Sequence, residues 1–269
     1  MAKPILPDEL WAIIDPLLPP PPTPGPKGGR PPVGNREALT GILFVLKTGI
    51  PWEDLPCEMG CGSGMTCWRR LRDWQAAGAW ERAHGVLLAR LRGADKIDWR
   101  RALVDSSSVR AAYGGEATGP SPVDRAKPGS KHHVITDASG VPMASSVTAA
   151  NAHDVTELAP LYNKLPAVAG KAGRPRRRFD ALQGDRAYDS EPHRQGLREL
   201  GVEPVLPERG IDDDAGLGET RWPVERTLAW LHQNRRLRIR YERRADIHQA
   251  LLTLACIKIC ASALLPGLC

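Results

Sequence analysis

The pattern of apolar positions divides the chain into a helical first part and a mixed second part. Before about residue 95, apolar residues recur at helical spacing. They predict helices over 6–18, 35–49, 64–77 and 80–91. In the second of these, Asn35 is the expected N-cap and Gly49 the stop. Short helices joined by tight turns, one of them rich in arginine, favour a helix-turn-helix-like DNA-binding unit. The alternative is a small helical domain whose arginines are merely solvated.

After Gly93 the pattern predicts alternating strands and helices. The expected strands are 101–105, 132–138, 141–149, 179–185 and 202–206. Helices are expected over 157–165 and 186–200, with a further helix starting near Thr220. The order is three antiparallel strands, helix, strand, helix, strand, helix. The apolar segment Ala250 to Leu265 is interrupted by Lys258 and is shorter than the roughly 20 residues that cross a bilayer, so we expect a buried helix.

These patterns give two predicted domains. Residues 1–95 form a helical domain expected to bind DNA, and residues 96–269 form a mixed domain of strands and helices that ends in C-terminal helices. A proline- and glycine-rich arm at 19–34 cannot be helix or sheet. Arg30 in this arm can lie along phosphates or in a minor groove, but a solvated linker fits the same composition.

The charge of the chain favours a polyanionic partner. The net charge is +6 and the pI about 9.1, so nucleic acid is the first candidate. The basic residues expected to contact DNA are Arg30, Arg69, Arg70, Arg72, Lys127, Lys131, Arg176, Arg177, Arg178, Arg235 and Arg236.

The N-terminus has no continuous apolar run of the secretory kind, which predicts a cytoplasmic protein without a membrane partner. The six cysteines are then expected to be reduced thiols. A zinc site at Cys57, Cys61 and Cys67 is the alternative, although their spacings are not the usual C-x-x-C.

Three acidic residues stand at positions where chemistry is plausible. Asp105 ends the strand-like run RALVD, Asp185 ends FDALQGD, and Glu225 lies at the margin of the apolar face of the last predicted helix. If the first and fourth strands are adjacent and parallel, Asp105 and Asp185 meet at one edge of the sheet. Two Mg²⁺ ions about 3.5–4 Å apart, held by carboxylates, would suit phosphodiester cleavage.

Each acidic residue also has an ordinary interpretation. An aspartate after a strand is common at turns, and Glu225 can form a surface pair with Arg221 or Arg226. Asp154 is expected to be a helix N-cap.

Four motifs together resemble one known family. They are RPPVGNREALTGILFVLKTGIPWEDLP, ALVDSSSVRA around Asp105, GDRAYDS around Asp185 and RWPVERTLAWLHQNRRLRIRYERR around Glu225. The chain resembles bacterial insertion-sequence transposases of the IS5 group, within the DDE class. The resemblance implies a ribonuclease H-like domain: an α/β mixed sheet flanked by helices, preceded by the all-α domain.

The resemblance also implies site residues. Asp105, Asp185 and Glu225 are the expected catalytic and metal-binding carboxylates, and Arg221 matches the family's arginine four residues before its glutamate. His232 stands where lysine is usual, and both it and Arg221 are expected in the second shell or at a phosphate. The family's tyrosine is Gly218 here, and the glycine often found after DR is Ala187.

The implied activity is DNA transposition. Mg²⁺, with Mn²⁺ as a substitute and two ions per site, would support hydrolysis at the element's ends and attack of the freed 3′-hydroxyl on target DNA. The implied partners are double-stranded DNA, as element ends and as target, and a second copy in a homodimer or larger DNA complex at the bacterial nucleoid. The rival functions are an endonuclease that cuts without joining and a non-catalytic DNA-binding repressor.

Overall fold

The computed structural model describes residues 4–21, 31–207 and 217–265, the last with side chains from Thr220 onwards. The first part contains four helices: α1 Asp8–Ile14, α2 Asn35–Thr48, α3 Gly64–Ala76 and α4 Ala79–Gly93. The predicted helices are confirmed to within a few residues. Gly49 ends α2 with a left-handed backbone at φ 76°, which glycine adopts without steric cost.

One capping prediction is wrong. The N-cap of α2 is Gly34, and Asn35 is the first residue of the helix. The Asn35 side-chain amide instead donates to the Pro19 carbonyl at 2.8 Å, so this residue holds the end of the first helical segment against α2.

A seven-stranded sheet forms the second part. Its strands are β1 Arg101–Ala111, β2 Gly119–Pro120, β3 Pro128–Asp137, β4 Pro142–Ala149, β5 Ala181–Gln183, β6 Glu203–Val205 and β7 Ile239–Arg240. The five main strands lie in the order β4, β3, β1, β5, β6. β3 runs antiparallel to β1 and β4, whereas β5 and β6 run parallel to β1. This is the ribonuclease H-like arrangement that the resemblance implied.

The first strand is longer than its apolar run. Prediction ended it at Asp105, but its pairing with β3 continues to Arg110 opposite Gly129. The polar segment that follows Asp105 is therefore part of the sheet. Asp105 consequently lies within a strand, opposite Val134 of β3, and not in a turn.

Helices cover the sheet. They are α5 Asp154–Asn163, α6 Glu191–Glu199, α7 Leu217–His232, α8 Arg235–Arg238 and α9 Ala245–Leu264. The helix expected over 186–200 is divided: a short 3₁₀ turn, Arg186–Tyr188, precedes α6. α7 begins before Thr220, so Pro223 lies inside the helix and not at its first position.

The last helix, α9, joins the two parts of the chain. It packs on α3, α4 and β4, and the buried residues of both parts form one hydrophobic cluster. The expectation that this segment is too short to cross a membrane is wrong, because the helix has 20 residues and sufficient hydropathy. About two thirds of it is buried inside the protein, as expected of a core helix. The domain boundary near residue 95 stays a prediction.

Five cysteines are free thiols in the described part of the chain. Cys61, Cys67, Cys256 and Cys260 are buried and Cys57 is exposed. Burial raises the pKa of the Cys67 thiol to about 12, so this side chain behaves as a small apolar core residue.

Candidate active site

The carboxylates of two adjacent parallel strands lie at the same edge of the sheet. β1 pairs with β5 in parallel, with Leu103 opposite Gln183, and Asp105 and Asp185 each follow two residues later. The condition under which the sequence brought Asp105 and Asp185 together, adjacent parallel strands, is met. Backbone amides fix both groups: Asp105 accepts from Ser106 at 2.8 Å, and Asp185 accepts from Ala187 at 2.9 Å.

α7 brings Glu225 to this edge. The inward residues Val224, Leu228 and Leu231 are buried, and the Thr220 hydroxyl and the Gln183 side chain are hydrogen-bonded to each other. The helix is thereby held over β1 and β3. The Glu225 side chain is 54% exposed, at the margin of the buried face, as its place in the helical pattern predicted.

Arg221 lies between two of the acidic residues. Its Nη2 is 3.5 Å from Asp105 Oδ2 and 3.9 Å from Glu225 Oε1. The pKa of Asp105 is raised to about 6, first by burial and further by the charges of Asp185 and Glu225, while the Ser106 amide and Arg221 act in the opposite direction. The site therefore concentrates negative charge that one arginine only partly compensates.

The donor chemistry of this edge fits a divalent cation. Carboxylate oxygens are the ligands that Mg²⁺ prefers, and the cost of ionising Asp105 beside Asp185 would fall if a cation were added. The three acidic residues are not gathered into a closed ligand set, since no three His, Cys, Asp or Glu side chains in residues 4–21, 31–207 and 217–265 stand close enough to hold a metal ion.

The sequence predicted a wrong role for Asp154. The N-cap of α5 is His153, and Asp154 is the first residue of the helix. Its carboxylate accepts from the Ser106 hydroxyl at 2.7 Å and from Lys131 at 3.1 Å. The signal available in the sequence was the two-residue period of β3, which places Lys131 and His133 on one face.

His232 lies at the end of α7 and packs against His132. The two ring centres are 5.7 Å apart, and burial lowers the pKa of His232. The His232 ring therefore packs against the buried His132 ring. Its expected role at a phosphate or behind the metal site stays a prediction.

The basic residues that were expected to contact DNA differ in how exposed their side chains are. Exposed members of the set are Arg69, Lys127, Arg177, Arg178 and Arg235. Arg72 and Arg176 are partly buried and paired with Asp73 and Asp180.

Three residues of the set lie in the interior and are bonded to protein groups. Arg70 donates to the Val33 carbonyl, Lys131 is paired with Asp154, and Arg236 is paired with Glu242. All three are less than 10% exposed. Arg30 lies outside the described residues.

Comparisons with known proteins agree with the motifs. The family described as "Putative transposase of IS4/5 family" matches residues 6–84, and the family described as "Transposase DDE domain" matches residues 100–215. The "Putative transposase for insertion sequence element IS402" of Burkholderia cepacia is 48% identical over 197 residues, which are 72% of this chain and 91% of the relative. An IS1106 transposase of Neisseria meningitidis serogroup B is 29% identical over 53% of this chain and 46% of its own length.

Among solved structures, the Mos1 strand transfer complex is similar over 84% of this chain and 77% of its own. The TM-score is 0.29 and the identity 14%, a likeness too low to bear on the position of any residue. The sequence relative and the two family matches are decisive. The chain belongs to the IS4/5 family of insertion-sequence transposases and carries a DDE transposase domain.

Proposed function

We propose that this protein catalyses DNA transposition by divalent-metal-dependent hydrolysis at the ends of an insertion sequence, followed by strand transfer into target DNA. The observation that supports it best is the register of β1 and β5, which brings Asp105 and Asp185 to one sheet edge. Glu225 adds a third carboxylate beside the same arginine. The same site would serve both steps.

Asp105, Asp185 and Glu225 would hold two Mg²⁺ ions, with Mn²⁺ as a substitute. Such a pair of ions neutralises a phosphate, activates the attacking hydroxyl and stabilises the departing oxygen. The Ser106 and Ala187 amides keep one oxygen of each aspartate in place. Arg221 balances the carboxylates, and its planar guanidinium suits a phosphate.

The substrates in this proposal are double-stranded element ends and target DNA, bound by a homodimer or larger assembly at the nucleoid in the cytoplasm. The exposed arginines Arg69, Arg177, Arg178 and Arg235 support a polyanionic partner. Contacts of this kind neutralise phosphates and contribute a salt-dependent affinity.

The test uses DNA that carries the sequence flanking the coding region, with Mg²⁺ or EDTA. We expect metal-dependent cleaved and joined products from the native protein, and a loss of at least about 100-fold in Asp185→Asn and Glu225→Gln. Glu203→Gln, which removes an exposed carboxylate elsewhere on the sheet, should retain native activity.

A binding readout accompanies the activity assay. Mg²⁺ should raise the melting temperature of the native protein, because an ion that binds the folded protein and not the unfolded chain stabilises the fold. It should not raise the melting temperature of Asp185→Asn, whose site lacks one of the three carboxylates. Full activity in Asp185→Asn would contradict the assignment. Cleavage without joined products would favour an endonuclease, and binding without cleavage a repressor.

A further inference from the structure

A cavity of about 780 Å³ lies beside α7. It is bounded by α7, α9, the end of α2, the segment after α4 and the turn between β3 and β4. We call it the basic cavity. Its cationic and large apolar side chains include Lys47, Lys96, Arg226, Trp230, Lys258 and Ile259.

Cations from four separate elements converge on the basic cavity. Lys47 belongs to α2, Lys96 follows α4, Arg226 belongs to α7 and Lys258 to α9. None of the described residues that line the cavity is Asp or Glu.

Two of these cations donate to backbone carbonyls. Lys96 donates to the Ala263 carbonyl at 2.8 Å, and Arg226 donates to the Ser139 carbonyl. These two bonds orient the cations without cancelling their charge. An anionic ligand is therefore favoured.

An aromatic wall accompanies the charge. Trp230 is 37% exposed, and the Arg226 guanidinium carbon lies 4.4 Å from the centre of its ring. Ile259 and Ala263 add further apolar surface. A cationic groove with an aromatic surface is the combination that binds the backbone and base faces of an unpaired nucleic-acid strand. The volume is of the size that accepts a small ligand, so unpaired nucleotides fit and a duplex does not.

The basic cavity and the carboxylate site share α7. Arg226 directly follows Glu225, and Trp230 lies five residues after Glu225, which is about 7.5 Å along the helix axis. A strand whose phosphate is at Asp105, Asp185 and Glu225 would pass around α7 to enter the cavity.

We propose that the basic cavity binds unpaired nucleotides of a DNA strand that leaves the active site. Lys47 and Lys96 contact its phosphates, and Trp230 contacts a base or sugar. This inference rests on the proposed function, because it requires DNA at the neighbouring carboxylates. It adds a strand-binding site separate from the metal site.

The experiment compares DNA affinity in full-length protein that carries Asp185→Asn, so that the DNA stays uncut. The probes are a blunt duplex and the same duplex with a single-stranded extension, both with the flanking sequence. The Asp185→Asn protein is titrated by fluorescence anisotropy over a series of salt concentrations, alone and with Lys47→Ala, Trp230→Ala or Lys164→Ala added. Lys164 is an exposed lysine at the end of α5, outside the cavity, and serves as the matched control.

We expect the extended probe to bind more tightly than the blunt probe, and Trp230→Ala to lose about 5- to 100-fold affinity for the extension alone. Lys47→Ala should reduce the salt slope for the extended probe by about 0.7. Lys47 is exposed, so its variant should fold normally, which the unfolding midpoint checks. Lys164→Ala should keep the preference for the extension.

Unchanged preference in Lys47→Ala and Trp230→Ala, with active native protein, would overturn the cavity assignment and leave the proposed function intact. An equal loss on blunt and extended probes would also overturn it, because the cavity would then serve duplex binding. If the native chain neither bound nor cut any DNA, the proposed function would fail together with the inference.

Discussion

At the scale of single residues, basic side chains that look alike in the sequence differ in exposure and in their bonding partners. Lys127 and Lys131 lie four positions apart and look equivalent in the sequence. Lys127 is exposed, whereas the Lys131 side chain is 11% exposed and bonded to Asp154 and the Ala152 carbonyl. The same charge therefore has a structural role at one position and is available to DNA at the other.

Lys131→Ala should destabilise the protein, while Lys127→Ala should not. Removing Lys131 leaves the largely buried Asp154 carboxylate with only the Ser106 hydroxyl and a neutral His133 nearby, which we expect to lower the free energy of unfolding by about 1–3 kcal/mol. Lys127→Ala should stay within about 0.5 kcal/mol of the native value. Urea unfolding measures both.

The DNA affinity of the same two variants should change in the opposite order, with the larger effect in Lys127→Ala. Lys127→Ala should reduce the slope of log affinity against log salt by about 1, and Lys131→Ala should leave it unchanged. A reduced slope for a folded Lys131→Ala variant would mean that this lysine contacts DNA after all.

At the scale of elements, the arginine-rich segment after α7 connects the sheet to the first helices. Arg236 pairs with Glu242 at 2.8 Å and donates to the carbonyls of Gly49 and Ile50. Arg240 is fully buried and donates to the Ala117 carbonyl and the Ser130 hydroxyl. These arginines satisfy carbonyls at loop ends that would otherwise be buried without partners.

Arg236→Ala should lower the free energy of unfolding by about 3–5 kcal/mol, because Glu242 would keep a buried charge without its arginine. Arg235→Ala removes the neighbouring exposed guanidinium and should change stability by less than about 0.5 kcal/mol. Thermal or urea unfolding separates the two. Equal stability of both variants would contradict the structural role of Arg236.

The contrast between Arg235 and Arg236 shows what the sequence could predict. Helical and strand periods located most elements, since a residue's face follows from its spacing. The sequence placed Asp105 and Asp185 at the ends of two strands, but the parallel pairing of those strands comes from the structure. Burial of a charged residue depends on acceptors far along the chain, such as Glu242 for Arg236 and Asp154 for Lys131. Those partners appear only once the sheet and helices are assembled.

At the scale of the whole molecule, one core holds several neutral histidines. His132 and His248 are buried and hydrogen-bonded to each other at 2.8 Å, and His84 is bonded to the Pro142 carbonyl beneath α4. Burial lowers the pKa of all three and lowers the pKa of His133 to about 4. Because these residues join α4, β3 and α9, their protonation affects the whole fold.

Stability should therefore fall as the pH falls below about 6.5. The unfolded chain takes up protons at its histidines near that pH while the folded chain does not, so each such histidine removes up to about 1.4 kcal/mol per pH unit down to its folded pKa. Asp105 and Asp137 act in the opposite direction, because burial raises their pKa values, but they are fewer than the histidines. The four histidines determine the sign.

Urea unfolding midpoints at pH 7.5, 6.5 and 5.5 measure the effect, with His133→Gln as the matched variant. Gln can still bond the Thr148 hydroxyl that His133 contacts at 2.8 Å, but it takes up no proton. Its loss of stability with falling pH should be shallower than the native one by up to about 1.4 kcal/mol per unit. Midpoints that stay constant from pH 7.5 to 5.5 would mean that these histidines take up protons at the same pH in the folded and in the unfolded chain, so that burial does not lower their pKa values.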